Sequence, residues 1–193
     1  MGDDGSETAY AHHAVIVTTQ RLLLRPRRPG EEIAMAALLA NPAISPNLCA
    51  TIPADHGKPL AIVDRLTGRL VGAADHGVTG LGSGIEVTLW IGEPDCGRGY
   101  ATEAAYGLVD HAFRDESVAV VWCSNRVTNA RAHRVIEKCG FQFRGNGMVR
   151  LSGRGAFPIE RFALDRRNWS SLRSWGAANE PGSRGNAARE TAA

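Results

Sequence analysis

Residues 85–113, IEVTLWIGEPDCGRGYATEAAYGLVDHAF, constrain the fold more than any other stretch of the chain. Ile85, Val87, Leu89 and Ile91 alternate with Glu86, Thr88 and Trp90, which is the period of a strand with one face turned to a core. Gly92 to Asp95 should end that strand, since Gly92 weakens it and Pro94 cannot donate to a ladder. Ala101, Ala104, Ala105, Leu108, Val109, Ala112 and Phe113 then fall on one helical stripe. Between the two elements runs a short glycine loop, Cys96-Gly97-Arg98-Gly99-Tyr100-Ala101. The first turn of a helix leaves about four backbone N–H groups without intrahelical partners, at the positive end of the macrodipole. Gly97 and Gly99 would let a bulky anion reach those amides, so a phosphate or diphosphate is a natural guest. A plain strand-to-helix turn accounts for the loop equally well. Two nucleotide loops are excluded. No Gly-Lys-Ser/Thr ends this one, and Thr102 stands where the dinucleotide fingerprint needs its third glycine.

The 193 residues suit one domain with a sizeable core. A net charge of +2 gives no reason to expect a nucleic-acid partner. The four cysteines Cys49, Cys96, Cys123 and Cys139 form no C-x-x-C pair, as expected for free thiols in a reducing compartment. The opening residues are acidic and lack an apolar stretch, and no run is long enough to cross a bilayer, so a cytoplasmic protein is expected.

In chain order, residues 1–13 read as a disordered leader, 14–175 as one domain and 176–193 as a disordered tail. Ala14 to Arg25 reads as a first strand or edge hairpin, and Glu31 to Ala40 as a helix with Ile33, Ala36, Ala37 and Ala40 inward. Pro42, Pro46, Pro53 and Pro59 make residues 41–59 a loop with at most one helical turn. Leu60 to Arg65 and Arg69 to Val78 flank a Thr67-Gly68 turn, the pattern of an antiparallel hairpin. Ser117 to Cys123 reads as a buried strand, and Ala132, Val135, Ile136 and Cys139 mark a second helix. That helix should stop at Gly140, with Phe141 folding back on Ile136. Phe141 to Arg144, Asn146 to Ser152 and Pro158 to Leu164 are short strands, and Asn168 to Trp175 one last helical turn.

Three stretches, Glu86-Val-Thr-Leu-Trp-Ile91, Gly97-Arg-Gly-Tyr-Ala-Thr-Glu-Ala104 and Asn129-Ala-Arg-Ala-His-Arg-Val-Ile-Glu-Lys-Cys-Gly-Phe141, occur in this order. Together they resemble the GCN5-related N-acetyltransferase (GNAT) superfamily, in its ribosomal-protein-alanine acetyltransferase branch. The likeness runs from Arg21 to about Trp169. It implies an α/β (α+β) fold, with a mixed, mostly antiparallel sheet splayed between its fourth and fifth strands and flanked by helices. It also implies acetyl-CoA as co-substrate, with no metal, and an amine acceptor: a protein N-terminus or a small molecule. By the same likeness the diphosphate would rest on amides of Cys96, Gly97, Arg98, Gly99, Tyr100, Ala101 and Thr102. The pantetheine would pair like an added strand with Leu89, Trp90 and Ile91 and meet Asn129, with Ala132 and Arg134 counted among the same contacts. Arg131, Arg134 and Lys138 otherwise make a solvated basic face. A homodimer is left open.

An amine is mostly protonated at neutral pH, so its attack on a thioester needs a base. Glu86 is the candidate; the alternative is a surface glutamate on a wet strand face. The family's hydroxyl acids are missing, since Ala132 and Ile136 stand where a serine and a tyrosine would be expected. That departure, and the proline-rich 41–59 stretch where an acceptor wall would lie, keep a second reading open: a non-catalytic acyl-CoA-binding module.

Overall fold

The computed structural model describes residues 17–42, 44, 59–78, 84–151 and 155–178. The expected leader, most of the proline-rich stretch, the 79–83 connection and the tail beyond Ala178 lie outside them. Eight strands, β1 (Val17–Thr18), β2 (Leu22–Pro26), β3 (Leu60–Asp64), β4 (Leu70–Val78), β5 (Gly84–Ile91), β6 (Val120–Arg126), β7 (Gln142–Leu151) and β8 (Gly155–Asp165), form one sheet. Its spatial order is β1-β2-β3-β4-β5-β6-β8-β7. Four helices, α1 (Glu31–Leu39), α2 (Tyr100–Ala112), α3 (Ala130–Lys138) and α4 (Arg166–Ala178), complete the described chain.

Every neighbouring pair of strands is antiparallel except β5 and β6. A parallel pair needs a crossover, and α2 supplies it. The parallel register contains only Gly84↔Val120, Ile85↔Val121 and Glu86↔Trp122. Beyond it each strand stays paired on its outer edge, β5 with β4 up to Ile91 and β6 with β8 up to Arg126. With the β1–β2 hairpin taken as one, β5 and β6 are the fourth and fifth strands, and the splay lies where the resemblance puts it.

The alternation in β5 sorts its side chains as expected. Ile85, Val87, Leu89 and Ile91 join the main core beneath α2 and α3, with Leu108, Val109, Ile136 and Phe162. Trp90 faces the other side and packs with Met35, Leu38 and Ile44. Helix α1 corrects the expected face. Ile33 is 80% exposed, and Ala36, Ala37 and Ala40 are exposed too, while Met35 is buried with Leu38 and Leu39 beside it. The longer side chains remove more apolar area from water than three alanines do.

Other boundaries also move. β6 begins at Val120 and runs on to Arg126, and the two strands expected around Gly145 are one, β7, with a register shift between Phe143 and Gly145. α4 starts at Arg166 and continues to Ala178, which takes the first three residues from the expected tail. Asp165 accepts the Asn168 N–H at 2.8 Å as an end cap, and Trp169 is buried beside Tyr106 and Phe113. The expected stop of α3 is present in full. Gly140 has φ of 79°, its N–H donates to the Glu137 carbonyl at 2.9 Å, and Phe141 N–H reaches the Ile136 carbonyl at 3.2 Å.

Two predictions follow from these contacts. Gly140→Ala forces an L side chain into a left-handed backbone and drives the new Cβ against Leu172 Cδ1, so about 1–2 kcal/mol of stability should be lost. Thermal melting followed by circular dichroism reads this as a fall of about 2–8 °C. The second concerns acid. Tyr100 donates to Asp64 at 2.5 Å and holds that carboxyl down from 3.8 to about 2; Arg25 does the same for Glu31, from 4.5 to about 2. Both folded-state values are depressed, so their stabilisation is complete above pH of about 4.5 and disappears as pH falls towards 2. Asp64→Asn should therefore melt below the wild type at pH 7, with the two curves converging as pH approaches 2.

Candidate functional site

A cleft of about 590 Å³ opens where β5 and β6 part. One wall is the edge of β5 from Val87 to Ile91 and the other is Cys123 to Asn125 of β6. The loop before α2 closes one end, and α3 lies along the side. A shallower depression of about 800 Å³ near Glu116, Arg166 and Ser171 is open to solvent and belongs to none of these elements.

The loop is shaped by backbone and held by ion pairs. Gly97 and Gly99 have φ of 80° and 81°, and Gly99 is the residue that starts α2, with no side chain capping it. The first bond inside α2 is Glu103 N–H to the Gly99 carbonyl at 3.0 Å, so the amides of Tyr100, Ala101 and Thr102 precede the helical ladder. Behind the loop, Asp95 is 1% exposed and accepts both terminal nitrogens of Arg69, at 2.6 and 2.7 Å, with Arg98 at 3.4 Å. Arg21 stacks its guanidinium 4.8 Å from the centre of the Tyr100 ring, donates to the Arg98 carbonyl at 2.9 Å and meets Glu103 at 2.7 Å. Glu103 also accepts from Thr19 and from the Arg21 N–H, at 2.6 Å each, and these partners outweigh its burial to hold its carboxyl below the usual range. A loop tethered from three elements needs little reordering to receive an anion.

Of the residues singled out from the sequence, Leu89, Trp90, Ile91, Cys96, Gly97, Gly99, Tyr100, Ala101, Thr102, Asn129, Ala132 and Arg134 all line the cleft. Arg98 does not; its side chain turns back to Asp95. Glu86 does not either. It belongs to the last parallel pair of the sheet and accepts the Ser124 hydroxyl at 2.8 Å. The side chain of Asn129 caps α3 by accepting the Ala132 N–H at 3.1 Å. Arg131, Arg134 and Lys138 are exposed along the α3 wall, so the basic face borders the cleft. Burial pushes the Cys96 thiol up and the Cys139 thiol up to about 12, which leaves neither as a thiolate at neutral pH.

Sequence reasoning passed over four residues that matter here. The apolar run that reads as a strand stops at Cys123 and leaves Ser124 and Asn125 outside it, although Trp122, Ser124 and Arg126 continue its alternation. Asn125 is 2% exposed and donates to the Asn129 carbonyl at 3.2 Å, while its side-chain oxygen has no partner among the described residues. Arg69 and Asp95 meet across 26 positions, and no local pattern announces that pair.

The cleft has the features an acyl-CoA carrier demands: a strand edge facing open space, free amides at a helix start and cations beside them. No group of three or more metal-binding side chains occurs among the described residues. Residues 21–142 match the profile of the acetyltransferase (GNAT) domain. None of the curated proteins matches the sequence. Among solved structures, a GCN5-related N-acetyltransferase from Brucella melitensis superposes with a TM-score of 0.70 at 18% identity, covering 84% of this chain and 83% of that one. RimJ of Mycobacterium smegmatis, solved with CoA-disulfide, gives 0.67 at 22% identity, covering 84% and 95%. The aminoglycoside acetyltransferase AAC(6')-Ib, solved with coenzyme A, gives 0.63 at 20% identity, covering 79% and 99%. The profile match spans more than half of the sequence, and the chain belongs to the GNAT acetyltransferase family.

Proposed function

We propose that the chain transfers an acetyl group from acetyl-CoA to a primary amine by direct attack, without an acyl-enzyme. The observation that carries this reading is the parting of β5 and β6 beside the unladdered amides of Tyr100–Thr102, within a family of acetyltransferases. Those amides and Arg134 would hold the diphosphate, and Leu89 to Ile91 would offer their edge to the pantetheine. Acetyl-CoA supplies an activated acyl carbon: the amine nitrogen bonds to it, the C–S bond breaks, and the departing sulfur takes the remaining N–H proton, so that CoA leaves as the thiol.

The chain's own task is to free the amine of a proton and to steady the negative charge on oxygen. A β5 amide at the open edge is the donor for that oxygen. Glu86 is the carboxylate at the fork of the two strands and the proton acceptor. Cys96 and Cys139 are protonated thiols, and among the described residues neither is bonded to a histidine, which favours direct attack over a covalent intermediate. The acceptor is an amine of a protein N-terminus or of a small molecule. RimJ and the aminoglycoside enzyme show that this fold is used by proteins with those names, and an amine panel spanning both classes separates them for this chain.

Two measurements test the reading. Acetyl-CoA at about 100 times its dissociation constant should add about 2.7 kcal/mol to stability, seen as a rise in melting temperature. Arg134→Ala should shrink that rise, with affinity falling about tenfold and more sharply at low salt, as for loss of one charge-assisted contact. Glu86→Gln should lower kcat by about 10²-fold or more and leave acetyl-CoA binding near the wild-type value. Equal turnover in the variant and the wild type would remove Glu86 from the mechanism.

A further inference from the structure

We infer that Ser124 is a catalytic residue, the proton relay that joins the cleft to Glu86. This rests on the acetyl-transfer reading and deepens it. Glu86 itself does not line the cleft, whereas Ser124 does, and the serine hydroxyl donates to Glu86 Oε1 at 2.8 Å. Both side chains lie on the sheet face shared with Thr88, Trp90 and Trp122. They sit at the fork: Glu86 is in the last β5–β6 pair, and Ser124 is two positions past Trp122, the other member of that pair. A carboxylate set back from the cleft acts through whatever it is bonded to, and among the described residues the side-chain partner of Glu86 is the Ser124 hydroxyl.

The polarity of the bond settles the direction of proton flow. A serine has one hydrogen to donate and two lone pairs with which to accept. Its hydrogen is committed to Glu86, so the lone pairs are what Ser124 can present to the cleft, and they suit an ammonium N–H. When the ammonium gives a proton to Ser124 Oγ, the serine O–H proton passes to Glu86 Oε1. The net change is one proton moved from substrate to carboxylate, with serine unchanged. The neutral amine then bonds to the thioester carbon, the C–S bond breaks, the second N–H proton goes to the departing sulfur, and Glu86 returns its proton to solvent. No oxidant or further reactant is needed.

The test is steady-state kinetics with acetyl-CoA and an amine panel, on the wild type, Ser124→Ala, Ser124→Thr, Glu86→Gln and the Ser124→Ala/Glu86→Gln double variant. Ser124→Ala should lower kcat by about 10–100-fold, with acetyl-CoA affinity and melting temperature within error of the wild type. Its acidic pH limb should move upward, because it depends on amine already deprotonated in solution. Ser124→Thr, which keeps the hydroxyl, should restore most of the rate, and the double variant should be no slower than Glu86→Gln alone. A hydrogen bond that merely steadied the strands would leave the pH limb in place and let alanine act through melting temperature or acetyl-CoA binding; that pattern overturns the relay. So does wild-type kcat in Ser124→Ala, or additive losses in the double variant. A wild-type chain that turns over no amine overturns the acetyl-transfer reading and the relay together, whereas turnover that survives Ser124→Ala undiminished removes the relay alone.

Discussion

Three residue pairs hold β5 to β6, and the site depends on there being no more. Parallel strands pair less favourably than antiparallel ones, and here each has a full-length antiparallel partner on its outer side. The sheet can therefore give up the inner bonds without losing either strand. A strand edge that elsewhere would be an aggregation hazard is here one wall of the cleft. Everything that follows, from the position of the glycine loop to the placing of α3, is set by where that seam stops.

The main core and the cleft are two sides of the same alternation. Ile85, Val87, Leu89 and Ile91 anchor β5 to α2 and α3, while Glu86, Thr88 and Trp90 take the opposite face, where Trp90 packs on Met35 and Leu38 of α1. The crossover helix must start at the C-terminal end of β5, and so its unladdered amides arrive beside the open edge. Chemistry and packing are thus fixed by one strand read two residues at a time.

Local patterns were legible where they were strong and self-contained. The period of β5, the stripe of α2 and the glycine stop of α3 can each be read from a dozen residues, and all three stand. The glycine loop was legible because its shape lies in the backbone, where Gly97 and Gly99 take φ of 80° and 81°. What escaped depends on distance. The Arg69–Asp95 pair and the Tyr100–Asp64 bond join residues 26 and 36 positions apart, and composition alone says nothing of either. Ser124 escaped for a smaller reason: polar residues at the end of an apolar run look like a loop, whereas pairing with β8 keeps Ser124, Asn125 and Arg126 in the strand. The face of α1 was misjudged because alanine counts as apolar in a pattern but contributes little area beside Met35 and Leu38.

Asp95 is sealed beneath the loop with Arg69 and Arg98 as its counter-ions. Without Arg69, the buried Asp95 carboxylate would keep only Arg98, at 3.4 Å, and the loop above it would rest on a charge left largely uncompensated. Arg69 lies on the far hairpin, so a change there would be felt at a distance, in the shape of the loop. The two residues therefore act as one unit, a rivet between hairpin and loop that fails when either half is removed.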